Sequence, residues 1–453
     1  MPRPAVAVRS GAVLAVVLGA AACGQWQRVG TAPAGPTPAQ TLTDILDQTA
    51  VFHRLGRLTS AAGIPFVGVF DVVPGPADTG IGILAVSLEN RSFSFERSPS
   101  GFEARYRADI VLTRPGAPPI VIGRDQTVRV ATFQETLRND ESVLFQEPIR
   151  LAPGGYHLAL TITDRRSNAQ GRAEADVVIP PGGPGAVSAP LFVYEVTPRT
   201  DPTQPLKVIV NPRGAVAYGA DTLGVYVEGY RMPAGARVPV TVIDSRDTVL
   251  RRDTLVFTGA TPVEGRLLKI TPDSAPLGEL RVQVGDSAHH QQASALVSLS
   301  SSWIVTNYDQ MADLLRYFGH DDELKAIKKA APADRPGLWR KFWKDTDPNP
   351  ATPENEAIDA YFTRLAAANR RFTDEGIAGW LTDRGSVYIS LGEPDQVYDA
   401  SAYNQGRIIR WDYTQLQLTL YFVDETGFGR FRLTIASRAD FDRVVDRLRR
   451  MGK

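Results

Sequence analysis

Hydrophobic and polar residues alternate in two blocks of the chain, on either side of a segment rich in proline and glycine. In the first block, apolar side chains recur at every second position of residues 156–164, YHLALTITD. In the second block, Val238, Val240 and Val242 alternate in the same way. Alternation bounded by glycine and proline turns is typical of half-buried antiparallel strands. The segment between the blocks, residues 179–190 (IPPGGPGAVSAP), is typical of a linker.

The two blocks predict two antiparallel β-sandwich domains of immunoglobulin-like type, at residues 61–180 and 190–300. A chain of 453 residues is too long for one hydrophobic core, so several domains are expected. Because the chain has a single cysteine, no disulfide within one molecule can stabilise these domains, and burial of apolar surface must do so.

Beyond Trp303 the hydrophobic period becomes helical. The strongest helix signal follows the proline-rich segment 347–356, DPNPATPENE, where Thr352 is the expected N-cap and Pro353 the first helical residue. The apolar residues that follow are spaced for one face of a helix. They are Ile358, Tyr361, Phe362, Leu365 and Phe372.

After Gly385 the pattern predicts a four-stranded antiparallel meander. Its first strand is expected to turn Val387, Ile389 and Leu391 inward, and the residues 392–395, GEPD, to end it. Three further strands centre on Trp411, Leu420 and Leu433, and an amphipathic helix closes the chain. Residues 301–453 are therefore predicted to form a helical region plus an α+β module.

The N-terminus has the pattern of a secretory signal. Two arginines precede the apolar run 11–18, GAVLAVVL, which is too short to span a bilayer. Small residues lead into Cys23, and LGAAAC resembles a bacterial lipobox. The resemblance implies a signal peptide at 1–22, lipidation of Cys23, and outer-membrane sorting because Gly24 follows. Residues 23–60 are then expected to form a tether and a short helix.

Charge and histidine content exclude several function classes. Fifty basic residues balance fifty acidic ones, so the excess of positive charge that nucleic-acid binding requires is missing. The five histidines are scattered, and no catalytic triad order, metal box or phosphate loop is present. We therefore expect no nucleic-acid partner, no cofactor and no metal.

Acidic residues in the C-terminal third suggest two kinds of site. The set Asp345, Asp347, Asn349 and Glu356 has the spacing of a calcium loop, but Pro350 stands where such a loop needs glycine. That set more often forms a loop and a helix cap. Asp383, Glu393 and Asp395 are the carboxylates available for acid–base catalysis, although carboxylates in turns usually accept backbone hydrogen bonds.

The tryptophans suggest a third kind of site. Trp380 and Trp411 have side chains suited to stacking on a sugar ring, although tryptophans at such spacing are more often part of the core.

Several short motifs occur in an order that resembles the bacterial GWxTD domain family. The signature is Gly379-Trp380-Leu381-Thr382-Asp383, followed by Arg384-Gly385. The resemblance extends to the upstream segment that ends at Glu356, to Gly392-Glu393-Pro394-Asp395, and to the strand of Trp411. It covers roughly residues 303–435 and implies no established reaction.

Three hypotheses about function follow. The first is an outer-membrane lipoprotein that acts as a non-catalytic interaction or assembly module of the cell envelope, anchored through Cys23 and bound to an envelope protein or glycan. The second is a hydrolase that uses Asp383, Glu393 or Asp395. The third is a glycan-binding protein. A buried carboxylate with a raised pKa in a cleft would favour the hydrolase.

Overall fold

The N-terminal half of the described chain folds into two antiparallel β-sandwiches. The computed structural model describes residue 42 and residues 48–77, 79–138, 141–286, 290–300, 303–352, 354–373, 377–399 and 407–450. The expected signal peptide, Cys23 and Pro353 lie outside these ranges. No helix among the described residues combines the length and the apolar character that a membrane span requires.

The first sandwich pairs a sheet of order β1-β2-β3-β7 with a sheet of order β4-β5-β8-β9, and β6 pairs with β5. A short helix α1 (Gln48–Arg54) precedes it, and α2 (Phe133–Thr136) follows β6. The strands are β1 (Leu58–Ser60), β2 (Phe66–Pro74), β3 (Gly80–Leu88), β4 (Glu96–Ser98), β5 (Gly101–Thr113), β6 (Ile120–Val130), β7 (Val143–Leu151), β8 (Gly154–Asp164) and β9 (Gln170–Ile179).

The second sandwich pairs sheets of order β11-β10-β13-β16 and β12-β18-β17-β14-β15. All its pairings are antiparallel except that of β12 with β18. The strands are β10 (Leu191–Thr197), β11 (Lys207–Val210), β12 (Ala215–Ala217), β13 (Leu223–Tyr230), β14 (Arg237–Asp244), β15 (Val249–Val256), β16 (Val263–Ile270), β17 (Gly278–Gly285) and β18 (His290–Ser298).

The alternation read from the sequence corresponds to burial. In β8, Tyr156, Leu158, Leu160 and Ile162 all point into the first core, and Val240 and Val242 of β14 point into the second. The predicted fold class, two antiparallel sandwiches followed by helices and an α+β module with an antiparallel sheet, is confirmed.

A buried ion pair connects the two sandwiches. The Arg199 guanidinium donates to Glu228 (2.9 Å) and to the carbonyl of Pro74 in β2 (2.7 Å), and the two charged side chains are 1% and 0% exposed. A separate apolar cluster joins Val69 and Ile83 of the first sandwich to strands β10, β11 and β13 of the second. The sandwiches therefore pack on each other.

A helical region follows the second sandwich. Its helices are α3 (Tyr308–Leu314), α4 (Asp321–Lys329), α5 (Arg335–Thr346) and α6 (Glu356–Arg371). The expected apolar face of α6 is confirmed, because Ile358, Tyr361, Phe362 and Leu365 are fully buried.

The expected start of α6 is wrong. The side chain of Asn355 caps the helix, because its Oδ1 accepts from the Ile358 backbone amide (3.0 Å). Its Nδ2 donates to the carbonyl of Trp343 at the end of α5 (2.8 Å). Thr352 is a loop residue whose hydroxyl donates to the carbonyl of Asn349 and to Glu356. An asparagine that bonds both helices at once competes better for the cap than a threonine that bonds its own loop.

The predicted strand at 387–391 is also wrong, because Asp383–Leu391 forms helix α7. Thr382 caps this helix by accepting from the Gly385 amide. The residues Gly385 to Ile389 are all buried, and the polar side formed by Asp383, Ser386 and Ser390 is too short to mark a period of 3.6 in the sequence. The helix carries Val387, Ile389 and Leu391 at alternate positions, which is the sequence pattern of a strand.

The meander itself exists, with a different first strand. Its order is β19 (Gln396–Asp399), β20 (Arg407–Tyr413), β21 (Leu418–Asp424) and β22 (Arg432–Leu433), all antiparallel. Helix α8 (Ile435–Arg450) packs on β21. One continuous hydrophobic cluster extends from Val225 and Val282 of the second sandwich, through Trp303, to Trp380 and Phe422 of the module.

Candidate functional site

The residues of the signature form a tight corner between α6 and α7, which we call the corner (residues 379–385). Its centre is a contact between two glycine backbones. A methyl group on Gly385 would lie 2.0 Å from the carbonyl oxygen of Gly379. A methyl group on Gly379 would lie 2.5 Å from the carbonyl oxygen of Ala368, near the end of α6. Each glycine therefore allows a backbone approach that any side chain would prevent.

Thr382 and Asp383 anchor the corner to its neighbours. The Thr382 hydroxyl donates to the Gly379 carbonyl (2.8 Å) and accepts from the Gly385 amide (2.9 Å). The Asp383 carboxylate accepts from the Leu433 amide (2.8 Å) and lies 2.5 Å from the guanidinium of Arg438. Asp383 thus joins the start of α7 to β22 and to α8.

The two tryptophans of the signature region belong to the core. Trp380 is 4% exposed, and the Arg316 guanidinium lies over its ring, with 5.1 Å between the Arg316 Cζ and the ring centre. Trp411 is 3% exposed and packs between the rings of Phe372 and Phe422. Neither presents a ring face to solvent, so the sugar-stacking hypothesis for these two side chains fails.

Arg384 connects the corner to the meander. Its guanidinium lies over the ring of Phe431, at 4.4 Å, and over that of Phe372, at 5.4 Å. These cation–π contacts attach α7 to the segment before β22 and to the end of α6.

The segment Gly392–Asp395 turns the chain from α7 into β19. Gly392 has a φ of 83°, which favours glycine, and its carbonyl accepts from the Tyr413 hydroxyl (3.0 Å). Pro394 is buried. Asp395 accepts from the Thr414 amide at 2.6 Å. These contacts hold the turn against the end of β20.

Glu393 forms a bidentate pair with Arg371 at the end of α6. The hydrogen bonds from this guanidinium hold the pKa of Glu393 below its usual range, so the side chain stays ionised and does not serve as a proton donor at neutral pH. Asp383, Glu393 and Asp395 therefore have different partners and do not form a carboxylate pair around a common atom.

The carboxylate with a raised pKa lies elsewhere. Burial raises the pKa of Asp71, in β2 of the first sandwich, to about 6, against the opposing charge of Arg57. No motif in the sequence marks Asp71. It is not part of the corner.

A polar cavity of about 500 Å³ lies beside Asp383, between α7 and α8. Its polar lining residues include Ser386, Ser390, Asp442 and Arg449. The Ser386 hydroxyl donates to the carbonyl of Asp383, and Asp383 itself is paired with Arg438. No histidine lines this cavity, and among the described residues neither Ser386 nor Ser390 is hydrogen-bonded to a side-chain base, so the described geometry lacks an activated nucleophile.

The acidic residues between α5 and α6 bond to neighbouring residues of the same loop and its flanking helices. Asp345 pairs with Lys341, Asp347 accepts from the Asn349 amide, and Glu356 accepts from Thr352 and from the Asn349 side chain. The described residues thus form the loop and helix cap that sequence analysis gave as the more frequent outcome of this pattern.

Replacement of Trp380 by alanine should destabilise the protein by about 3–5 kcal/mol, because it removes a buried aromatic side chain. Asp383→Asn should cost less, about 1–2 kcal/mol, since it keeps the shape and one acceptor for the Leu433 amide. Denaturant unfolding followed by tryptophan fluorescence measures both. A Trp380→Ala variant as stable as the wild type would contradict the structural role.

The glycines provide a second test. Gly379→Ala and Gly385→Ala should each destabilise the protein by about 1–3 kcal/mol or more, since the added methyl meets a backbone carbonyl. Gly337 is the matched control: it lies in α5 with nothing within 4 Å of an added methyl, so Gly337→Ala should stabilise slightly. Similar melting temperatures for all three variants would refute the close contact.

Comparison with known proteins bears on the domain and not on an activity. No curated protein matches this chain. Matching solved structures include trypsin-activated α2-macroglobulin of Escherichia coli, at 10% identity and a TM-score of 0.18 over 52% of this chain and 17% of that one. The native form of the same protein matches at 9% identity and a TM-score of 0.18, over 55% and 18%. This chain thus spans less than a fifth of the length of those proteins. A structural similarity this low supports no conclusion about function.

The family model of the GWxTD domain matches residues 282–428. The match begins within β17 of the second sandwich, before the boundary that the motifs alone indicate, and ends within the segment between β21 and β22. It includes the corner, the turn at 392–395 and the strand of Trp411. Residues 282–428 of this chain are a GWxTD domain.

Proposed function

We propose that this chain is a lipid-anchored, non-catalytic interaction module of the cell envelope, sorted to the outer membrane. The observation that carries this proposal is the internal use of the signature. The three carboxylates of the signature region each accept a hydrogen bond from a backbone amide or pair with an arginine, and Trp380 is buried. These carboxylates belong to Asp383, Glu393 and Asp395. Side chains that bond within the protein make the fold rigid, and a rigid fold can present a binding surface to a partner.

The surface that we propose for the partner is the outer face of the meander, formed by Tyr398, Arg410 and Tyr421, which we call the tyrosine row. Arg410 pairs directly with Tyr398 across β19–β20 and with Tyr421 across β20–β21. The two tyrosines are 46% and 43% exposed. The Arg410 guanidinium lies 4.7 Å from the Tyr398 ring centre.

The row is preorganised for binding. Asp412 holds the Arg410 Nε at 2.9 Å and also accepts from Thr419 at 2.8 Å, so the arginine is fixed before a partner arrives. Tyrosine and arginine are enriched among the residues that dominate protein–protein binding energies, since they contribute large contact area at low entropic cost. We therefore propose an envelope protein as the partner, and a glycan as the alternative that the experiment below distinguishes.

Lipid anchoring is tested at Cys23. Cys23→Ser should move the protein from the membrane fraction to the soluble fraction, because the sole thiol available for acylation is lost. Gln27→Ser, in the same expected tether, is the control and should leave the protein in the membrane fraction. Membrane association that survives Cys23→Ser would refute the anchor.

The tyrosine row is tested by site-specific photo-crosslinking in intact cells. A photoreactive phenylalanine at position 421 should give a discrete covalent adduct, and Tyr398→Ser in the same chain should abolish it. Val178, which is 71% exposed on the first sandwich, is the control position and should give none. Equal adducts from both positions, or none from 421, would contradict the proposal. An adduct whose added mass is removed by glycan-degrading enzymes would identify a glycan instead.

A further inference from the structure

A second cavity, of about 300 Å³, lies where α1, both sandwiches and the start of the helical region meet. Its apolar wall comes from four separate segments: Phe52 of α1, Val216 of β12, Leu296 of β18, and Ile304. All four side chains are buried. The volume is that of a small-molecule pocket at the lower end of the usual range.

The polar side of this cavity contains a buried arginine and a carboxylate. The Arg213 side chain is 7% exposed, and its Nε donates to the Ser87 hydroxyl at 2.9 Å. The same guanidinium lies 3.7 Å from Glu141 and 3.8 Å from Glu89. One positive charge is thus shared between two carboxylates, in surroundings where charges are weakly screened.

Glu141 is only partly satisfied. Its Oε1 accepts from the Tyr194 hydroxyl at 2.5 Å. Its Oε2 is buried and has no hydrogen-bond donor among the described residues. A buried carboxylate oxygen without a donor costs free energy that a bound N–H group would recover. Asp221, exposed at the edge of the cavity, adds a second negative charge to the lining.

We propose that this cavity binds a small organic cation, a primary ammonium or guanidinium on a short apolar body. The cationic head pairs with the carboxylates of Glu141 and Asp221, and the apolar body covers Phe52 and Ile304. The charges select the sign of the ligand: two carboxylates and one guanidinium line the cavity, so the lining carries net negative charge that favours a cation over an anion.

The position of the cavity gives binding a structural consequence. Because α1, both sandwiches and Ile304 contribute to the lining, a ligand that fills the cavity contacts all of them together. Binding to the folded state alone raises stability by mass action, so occupancy should strengthen the junction between these parts. This inference does not depend on the tyrosine row, which lies on a different sheet.

Isothermal titration and thermal melting of the full chain test the proposal with phenethylamine, tyramine, cadaverine and agmatine as probes. Phenylpropionate and phenylethanol are the anionic and neutral controls of matched size. At least one amine should bind with saturation and raise the melting temperature, and neither control should do so. Absence of binding by all four amines, or an equal response to the controls, would overturn the proposal and assign the cavity to solvent.

Variants locate the site. Glu141→Gln should weaken amine binding about tenfold or more, because it removes the charge that accepts the ammonium. Glu195→Gln, at an exposed position next to Tyr194 in β10, should leave affinity unchanged. If Glu141→Gln fails to fold, Asp221→Asn at the exposed edge replaces it and should also weaken binding. Unchanged affinity in the folded charge variant would refute this site.

Discussion

The contact between the backbones of Gly379 and Gly385 sets the geometry on which the C-terminal module depends. Because no side chain separates them, the 3₁₀ turn at Gly379–Leu381 lies directly against the first turn of α7 and against the last turn of α6. That contact places Thr382 as the cap of α7, and it places Asp383 where it reaches β22 and α8. Arg384 then faces the rings of Phe372 and Phe431. One close approach thus positions three helices and an edge of the sheet.

The module and the second sandwich are parts of one packing unit. A single hydrophobic cluster includes both, and Trp303 connects them: its carbonyl accepts from the Ser298 hydroxyl of β18, and its indole donates to Asp359 of α6. The family match begins at residue 282, within β17, and so includes the end of that strand and β18. The sandwich is therefore a physical base for the module, and the hydrogen bond from Arg199 to the Pro74 carbonyl joins this base to the first sandwich.

The residues that carry the family resemblance and the residues of the proposed partner surface are different sets. A signature built from glycines, a capping threonine, a buried tryptophan and paired charges describes a way to fold a corner. Such a signature is compatible with many partners, because function on a given fold depends on the site that the fold presents. Neither the proposed tyrosine row nor the cavity at Arg213 contains a residue of the signature.

The sequence by itself determined the sandwiches, the apolar face of α6 and the GWxTD domain, because periodicity and local motifs are properties of neighbouring residues. The pattern indicated a strand at residues 387–391 because Val387, Ile389 and Leu391 alternate, and a helix of nine residues is too short for its polar side to mark a helical period. The local pattern indicated Thr352 as the N-cap of α6. Asn355 is the cap instead, because its side chain also bonds the carbonyl of Trp343, which belongs to another helix. Only the tertiary structure decided that Trp380 and Trp411 are core, that Tyr398, Arg410 and Tyr421 form a row, and that Glu141 meets Arg213. Those contacts join residues that only the packing of strands and helices brings together.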